Sequence, residues 1–178
     1  MILSKAEHAA AIDKAVFPGI QGGPIMSAVA GKAIALKEAS EVAYQEYAKQ
    51  VIVNAQELAA GLEAEGMRAV SGGTQTHLAL IDIRSTGVTG KVADERCGLS
   101  GITLNKNAIP YDPETPAVTS GIRVGSAATT TQGMGVAEMK QISSLIARAI
   151  KDGGEPAKAA DIAAEVRTLT DRFPVYPR

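Results

Sequence analysis

Residues 42–65 carry the feature that most limits how this chain can fold. Tyr47, Val51, Ala55, Leu58 and Leu62 recur at helical spacing and give one helix a single apolar stripe. Gly66 is a good stop for that helix. Immediately afterwards the period changes. "MRAVSGG" and "HLALIDIR" read as two short strands, and in the second Leu78, Leu80 and Asp82 alternate with Ala79, Ile81 and Ile83. The "GGTQT" between them predicts an antiparallel pair. Helices lead and a small sheet is assembled later, which is an α+β pattern.

The remaining segments fit the same frame. "MILSK" reads as the tail of a strand with no partner nearby in sequence, and residues 5–16 as a short amphipathic helix. Pro24 opens "PIMSAVAGKAIALKEAS", a helix with Pro at its favoured first position. "GVTGKVADERCGLSG" is a helix capped by Thr89 and closed near Gly98. "GITLN" and "SGIRVGS" are short strands, and the three prolines of "NAIPYDPETPAV" make it an irregular loop. Val136, Met139, Ile142, Leu145, Ile146 and Ile150 share one side of a helix, "DGGEP" breaks it, and residues 156–172 form a last helix.

Composition narrows the function. Charges nearly cancel, with a formal net charge of −1, which argues against nucleic acid or an anionic membrane as the main partner. One cysteine excludes an internal disulfide and fits a reducing compartment, and two histidines are too few for most zinc or triad schemes. No apolar run is long enough to span a bilayer, and the N-terminus lacks signal-peptide anatomy. A soluble, cytoplasmic protein without a metal centre is expected.

Three places could carry chemistry. In "FPGIQGGP", Gly22 and Gly23 precede a helix whose first N–H groups are unsatisfied, so the backbone there suits a phosphate, although a plain turn fits the composition too. In "GIRVG", Arg123 points away from Ile122 and Val124 and offers a planar fork for a carboxylate, or for a structural ion pair on the sheet. Asn105, Lys106 and Asn107 sit where a strand meets the proline-rich loop. Their amides suit the edge of a heterocycle or a simple turn. His77 reads as structural, Cys97 as a small packing residue, and Asp94–Glu95 and Glu63–Glu65 as solvated helix faces.

Taken together, "AVFPGIQGGPIM", "VSGGTQTHLALIDI", "GITLNKNAIPYDPETPAVTSGIRVGSAATT" and "RFPVY" resemble the serine hydroxymethyltransferases, in that family's order and approximate spacing. The resemblance implies the C-terminal portion of a fold-type-I pyridoxal-phosphate enzyme. That enzyme moves a one-carbon unit from serine to tetrahydrofolate and leaves glycine. Residues 1–45 are then the end of the large cofactor-binding domain with a linking helix, and 46–178 the C-terminal small domain with a short antiparallel sheet. Arg123 matches the arginine that binds the amino-acid carboxylate, and Asn107 the asparagine that contacts the folate ring. Gly22 and Gly23 match glycines that meet the cofactor phosphate held by a neighbouring subunit. A homo-oligomer, a separate N-terminal half or a full-length paralogue is the implied partner.

The same resemblance locates a Thr-rich segment ending in His-Lys upstream of the part matched here. Its lysine forms the Schiff base with the cofactor, and none of this chain's ten lysines has that context. No catalytic residue is therefore assigned here, and the chain is expected to be inactive alone. The alternative is a non-enzymatic remnant or a folate- or partner-binding module with the same fold. Several positions depart from the family pattern: Ser27 for a His, Ala117 for a Phe, Gln132 and Met134 in place of the Arg and Phe of "TTRGFG", and "GGTQTHL" for "GGTDNHL".

Overall fold

The computed structural model describes residues 2–176. It divides into two units, Met1–Gln45 and Glu46–Arg178. In the first, helix α1 (Ala6–Lys14) runs into a wide π-type turn over Ala15–Ile20, where Phe17 and Pro18 leave helical geometry. Helix α2 spans Met26–Ala39. Pro24 is not its first residue: Ile25 is extended and occupies the N-cap, so the Gly-Gly-Pro segment stays outside the helix. The opening strand is not formed either. Ile2–Lys5 have no ladder partner among the described residues, and a strand without one satisfies none of its backbone groups. No residue of α1 or α2 is buried.

The second unit holds the core. Helix α3 (Val42–Ala64) enters it with Val51, Asn54, Ala55, Leu58, Ala59 and Leu62 buried, the stripe expected from its periodicity. Four strands follow: β1 (Arg68–Ala69), β2 (Leu78–Asp82), β3 (Asn105–Asn107) and β4 (Gly121–Gly125). They form one antiparallel sheet in the order β1-β2-β4-β3. Helix α4 (Gly90–Leu99) lies between β2 and β3 in sequence. Thr89 caps it, its Oγ1 accepting from the Val92 N–H at 3.4 Å. Helices α5 (Ala127–Thr131), α6 (Val136–Asp152) and α7 (Pro156–Asp171) complete the unit. The α+β class expected from the sequence is the class observed. "GITLN" is a correction: pairing starts only at Asn105, because Gly101 turns with φ 76° and Ile102–Leu104 leave the ladder.

Ile81, Ile83, Ile122, Met139, Ile150 and Leu62 are fully buried between one sheet face and the helices. Cys97 lies among them. Burial, helped by the Asp94 carboxylate, pushes its thiol up to about 12. Two glycines allow close approach. A Cβ on Gly61 would overlap the Ser143 side chain where α3 meets α6, and one on Gly90 would overlap Thr119 Oγ1. A polar seam locks α3 to the segment after β4. Fully buried Asn54 donates from Nδ2 to Thr130 Oγ1 (2.8 Å) and to the Met134 carbonyl (2.9 Å). Ser126 donates to the Val51 carbonyl (2.6 Å), and Tyr47 donates to or accepts from Thr131 Oγ1 (2.9 Å). Among the described residues no helix is long and apolar enough to cross a membrane.

Candidate functional site

Strand alternation builds the site. Ile122 and Val124 are buried in the core, so Arg123 stands on the opposite face, exposed. The register places Leu80 and Asn105 on either side of it, and Asn107 opposite Gly121 one row along. Arg123 and Asn107, two of the residues singled out from sequence, therefore share one face of the sheet. Lys106 alternates to the other face and points to the start of α4, where its Cβ approaches the space beside Gly90.

Asn105 orients the arginine. Arg123 donates from Nε to Asn105 Oδ1 at 3.2 Å, while Asn105 Nδ2 donates to the Lys106 carbonyl at 2.9 Å. The second bond fixes which end of the amide faces the guanidinium. No carboxylate pairs with Arg123 among the described residues, so its two terminal nitrogens remain available as a fork. The structural ion pair that sequence left open is found elsewhere on this sheet. Asp82 accepts from Arg84 (2.8 Å) and Arg68 (2.9 Å). The Arg84 side-chain bond is the largest influence on Asp82 and outweighs burial. Together with the Arg84 N–H and Arg68 it holds the carboxyl at about 2.

The proline-rich loop is held by one residue that sequence reasoning missed. Asp112 accepts from the N–H groups of Ile109 (3.0 Å), Glu114 (2.9 Å) and Ser120 (2.9 Å), and from Ser120 Oγ (2.6 Å). Partial burial raises its pKa, but the Ser120 hydroxyl and the three N–H groups win and keep it below the usual carboxylate range. The available signal was the Asp-Pro pair, because an Asp in a loop bonds backbone groups two residues on. Asp112 thus ties the loop after Asn107 to the residue before β4. Thr119 is buried there with φ 61°, an unusual backbone for a β-branched residue. Its carbonyl accepts from the Gly90 N–H at 2.9 Å.

Beside Arg123 lies a cleft of about 650 Å³. His77 is exposed at its rim, and its structural contribution is its carbonyl, which accepts from the Ser126 N–H at 3.0 Å. Gln132 and Met134, two of the departures from the family pattern, also line it. Among the described residues no group of three or more His, Cys, Asp or Glu side chains could hold a metal ion.

Gly22 and Gly23 belong to the other unit, before α2. Neither adopts positive φ, and nothing lies within 4 Å of where a Cβ would stand. Neither turn geometry nor packing inside that unit requires glycine there. The first backbone bond into α2 runs from the Val29 N–H to the Ile25 carbonyl (3.2 Å), so earlier N–H groups have no intrahelical acceptor. A bare backbone before an uncapped helix start fits the close approach of a phosphate.

Residues 4–146 match the sequence profile of the family described as serine hydroxymethyltransferase. The chain belongs to the serine hydroxymethyltransferase family. It is 52% identical over 176 residues to a serine hydroxymethyltransferase of Polynucleobacter necessarius subsp. necessarius. It is also 52% identical over 176 residues to one of Polynucleobacter asymbioticus. Each alignment covers 99% of this chain but 42% of the relative, so the chain spans less than half the length of these hydroxymethyltransferases and corresponds to their C-terminal part.

Proposed function

We propose that this chain supplies the amino-acid- and folate-binding part of a serine hydroxymethyltransferase, and that conversion of serine to glycine requires the part of the relatives that this chain does not cover. The observation that carries the reading is the free fork of Arg123, held by Asn105 on the same sheet face as Asn107. Arg123 takes the carboxylate of serine or glycine through two parallel N–H donors, which fixes the amino acid in one orientation. Asn107 presents its amide to the pteridine edge of tetrahydrofolate, and Asp112 keeps the neighbouring loop in place. Gly22 and Gly23 receive the phosphate of a pyridoxal phosphate seated in another subunit. When bound, that group supplies the electron sink for cleaving the bond between the serine α- and β-carbons. This chain's residues position; no proton-transfer group is assigned to them. Residues 1–45 are the end of the large domain and 46–178 the small domain. A homodimer and a cytoplasmic setting complete the reading, the latter supported by the buried, free Cys97.

The test is reconstitution. The chain alone should convert no serine. Co-expressed with the N-terminal part of a relative that carries the cofactor lysine, it should restore the reaction. Arg123→Ala in that complex should lower kcat/KM about a hundredfold, the loss of two charge-assisted bonds. Turnover by the isolated chain, or full activity of Arg123→Ala, would overturn the proposal.

A further inference from the structure

The outer face of the sheet carries a second set of donors at its other edge. The register sets Arg68, Asp82, Gly121 and Asn107 in one row across the four strands, so Arg68 and Asp82 share a face with Asn107. Three strand spacings, about 14 Å, separate the ends of that row. Asp82 is 5% exposed and is satisfied by Arg84 alone, whose backbone N–H, Nε and Nη2 all donate to it. Arg68 is therefore a second cation where one buried carboxylate needs only one. Both guanidiniums are more than half exposed, and among the described residues neither Nη1 has an acceptor. With Gly66, Asp82 and Ser85 they line a bay of about 430 Å³. Asp112 is close enough for its charge to be felt at Arg84, but it does not line the bay, and its oxygens serve Ser120 and loop N–H groups.

We propose that this bay binds a phosphate group, held between the free nitrogens of Arg68 and Arg84 while Asp82 keeps both guanidiniums in place. Two guanidiniums against one carboxylate leave a surplus positive charge in the bay, which favours an anion. Free nitrogens on two separate residues call for acceptors in more than one direction and more than one negative charge. A tetrahedral phosphate has both, and a planar monocarboxylate has neither. Only two cations line the bay, so it suits one compact group rather than a polyanion. Its volume leaves room for several atoms beyond the phosphate, so the source is inorganic phosphate or the phosphate monoester of a small metabolite. The site uses none of the residues given above to the amino acid, the folate or the cofactor, and it needs neither the cofactor nor the rest of the enzyme.

The test is an NMR titration of the isotope-labelled 178-residue chain with inorganic phosphate, glycerol phosphate and acetate, at constant ionic strength and about pH 8, where phosphate is a dianion. The backbone amides of Gly66, Arg68, Arg84 and Ser85 should shift together and saturate with phosphate, and acetate should be about tenfold or more weaker there. Glycerol phosphate binding as tightly as inorganic phosphate, or more tightly, identifies a site that reads the group on a larger molecule. Tighter inorganic phosphate identifies the free ion, and either result supports the proposal. Arg68→Gln, which leaves Asp82 its Arg84 bonds, should weaken phosphate about tenfold or more. Ser85→Glu puts a carboxylate at an exposed lining position and should abolish the saturating shift. Ser85→Ala loses the same hydroxyl bond to the Gly66 carbonyl without adding charge and should stay within about twofold. Unchanged amide positions at Ile81 and Ile122 show that a variant is folded. Shifts at Gly22, Gly23 or Arg123 report binding elsewhere, so the outcome here is independent of the proposed function. No saturable shift of the bay amides, acetate as tight as phosphate, phosphate binding unaffected by Arg68→Gln or by Ser85→Glu, or Ser85→Ala as weak as Ser85→Glu would each overturn the proposal.

Discussion

The two units use similar residues and arrive at opposite outcomes. Residues 6–39 are rich in Ala, Ile, Val and Leu, yet Ile20, Ile25, Met26, Ile34 and Leu36 are all well over half exposed. In residues 46–176 the same residue types close a core in which Ile81, Ile122 and Ile150 have no exposed surface. The difference lies in arrangement. α6 collects its apolar residues on one side, and they join the inward-facing residues of β2 and β4 and helix α4 in one core. α2 spreads Met26, Val29, Ile34 and Leu36 around its axis, and its own unit offers no surface large enough to cover them. A helix apolar all round belongs in the interior of something larger.

The largest expected consequence is in local stability. Amide hydrogen exchange should be fast throughout 6–39 and slower by orders of magnitude at Leu58, Ile81 and Ile122. Equal protection in α2 would show that a second copy covers it and would break the contrast. Next in size are core deletions. Ile122→Ala should cost about 3 kcal/mol, whereas Ile34→Ala should stay within about 0.5 kcal/mol, both read by urea unfolding. Asn54→Ala, which leaves the Met134 carbonyl without its side-chain donor while Thr130 keeps its bond to the Ser126 carbonyl, should cost about 2 kcal/mol.

A smaller effect should appear on acidification. Asp82 has a folded pKa of about 2, below its unfolded value, so its contribution is fully present above about pH 4 and is lost as pH falls through 2. In Asp82→Asn the melting temperature should lose that part of its slope between pH 4 and 2; an unchanged slope would assign acid sensitivity to other carboxylates. Smallest in energy is Cys97: its thiol should stay unreactive toward a disulfide reagent at pH 8 in the native chain and react on unfolding.

Much of this was legible from period and punctuation. The α3 stripe, the Thr89 cap and the break at "DGGEP" before α7 depend on neighbours within a few residues, and local rules describe them well. The limits of "GITLN" and the start of α2 depend on what lies across space or on a single backbone angle, and there the local reading failed. Arg123 was recognisable because strand alternation between two buried residues forces it outward. Asn105 was singled out for its amide, but its pairing with Arg123 was not legible, since the contact spans 18 positions and is set by register. Asp112 was obscured by the prolines around it, which announce a loop but not what organises it.

The close approach of Gly61 to Ser143 has an evolutionary consequence. A glycine in the middle of a helix costs roughly 1 kcal/mol against alanine, yet alanine at 61 has nowhere to put its methyl while a serine stands at 143. The volume between α3 and α6 is therefore shared property of two positions far apart in the chain. Substitution at one is tolerated only with shrinkage at the other. Gly61→Ala together with Ser143→Gly should be milder than Gly61→Ala alone, and natural variants of this unit should change the two sites as a pair.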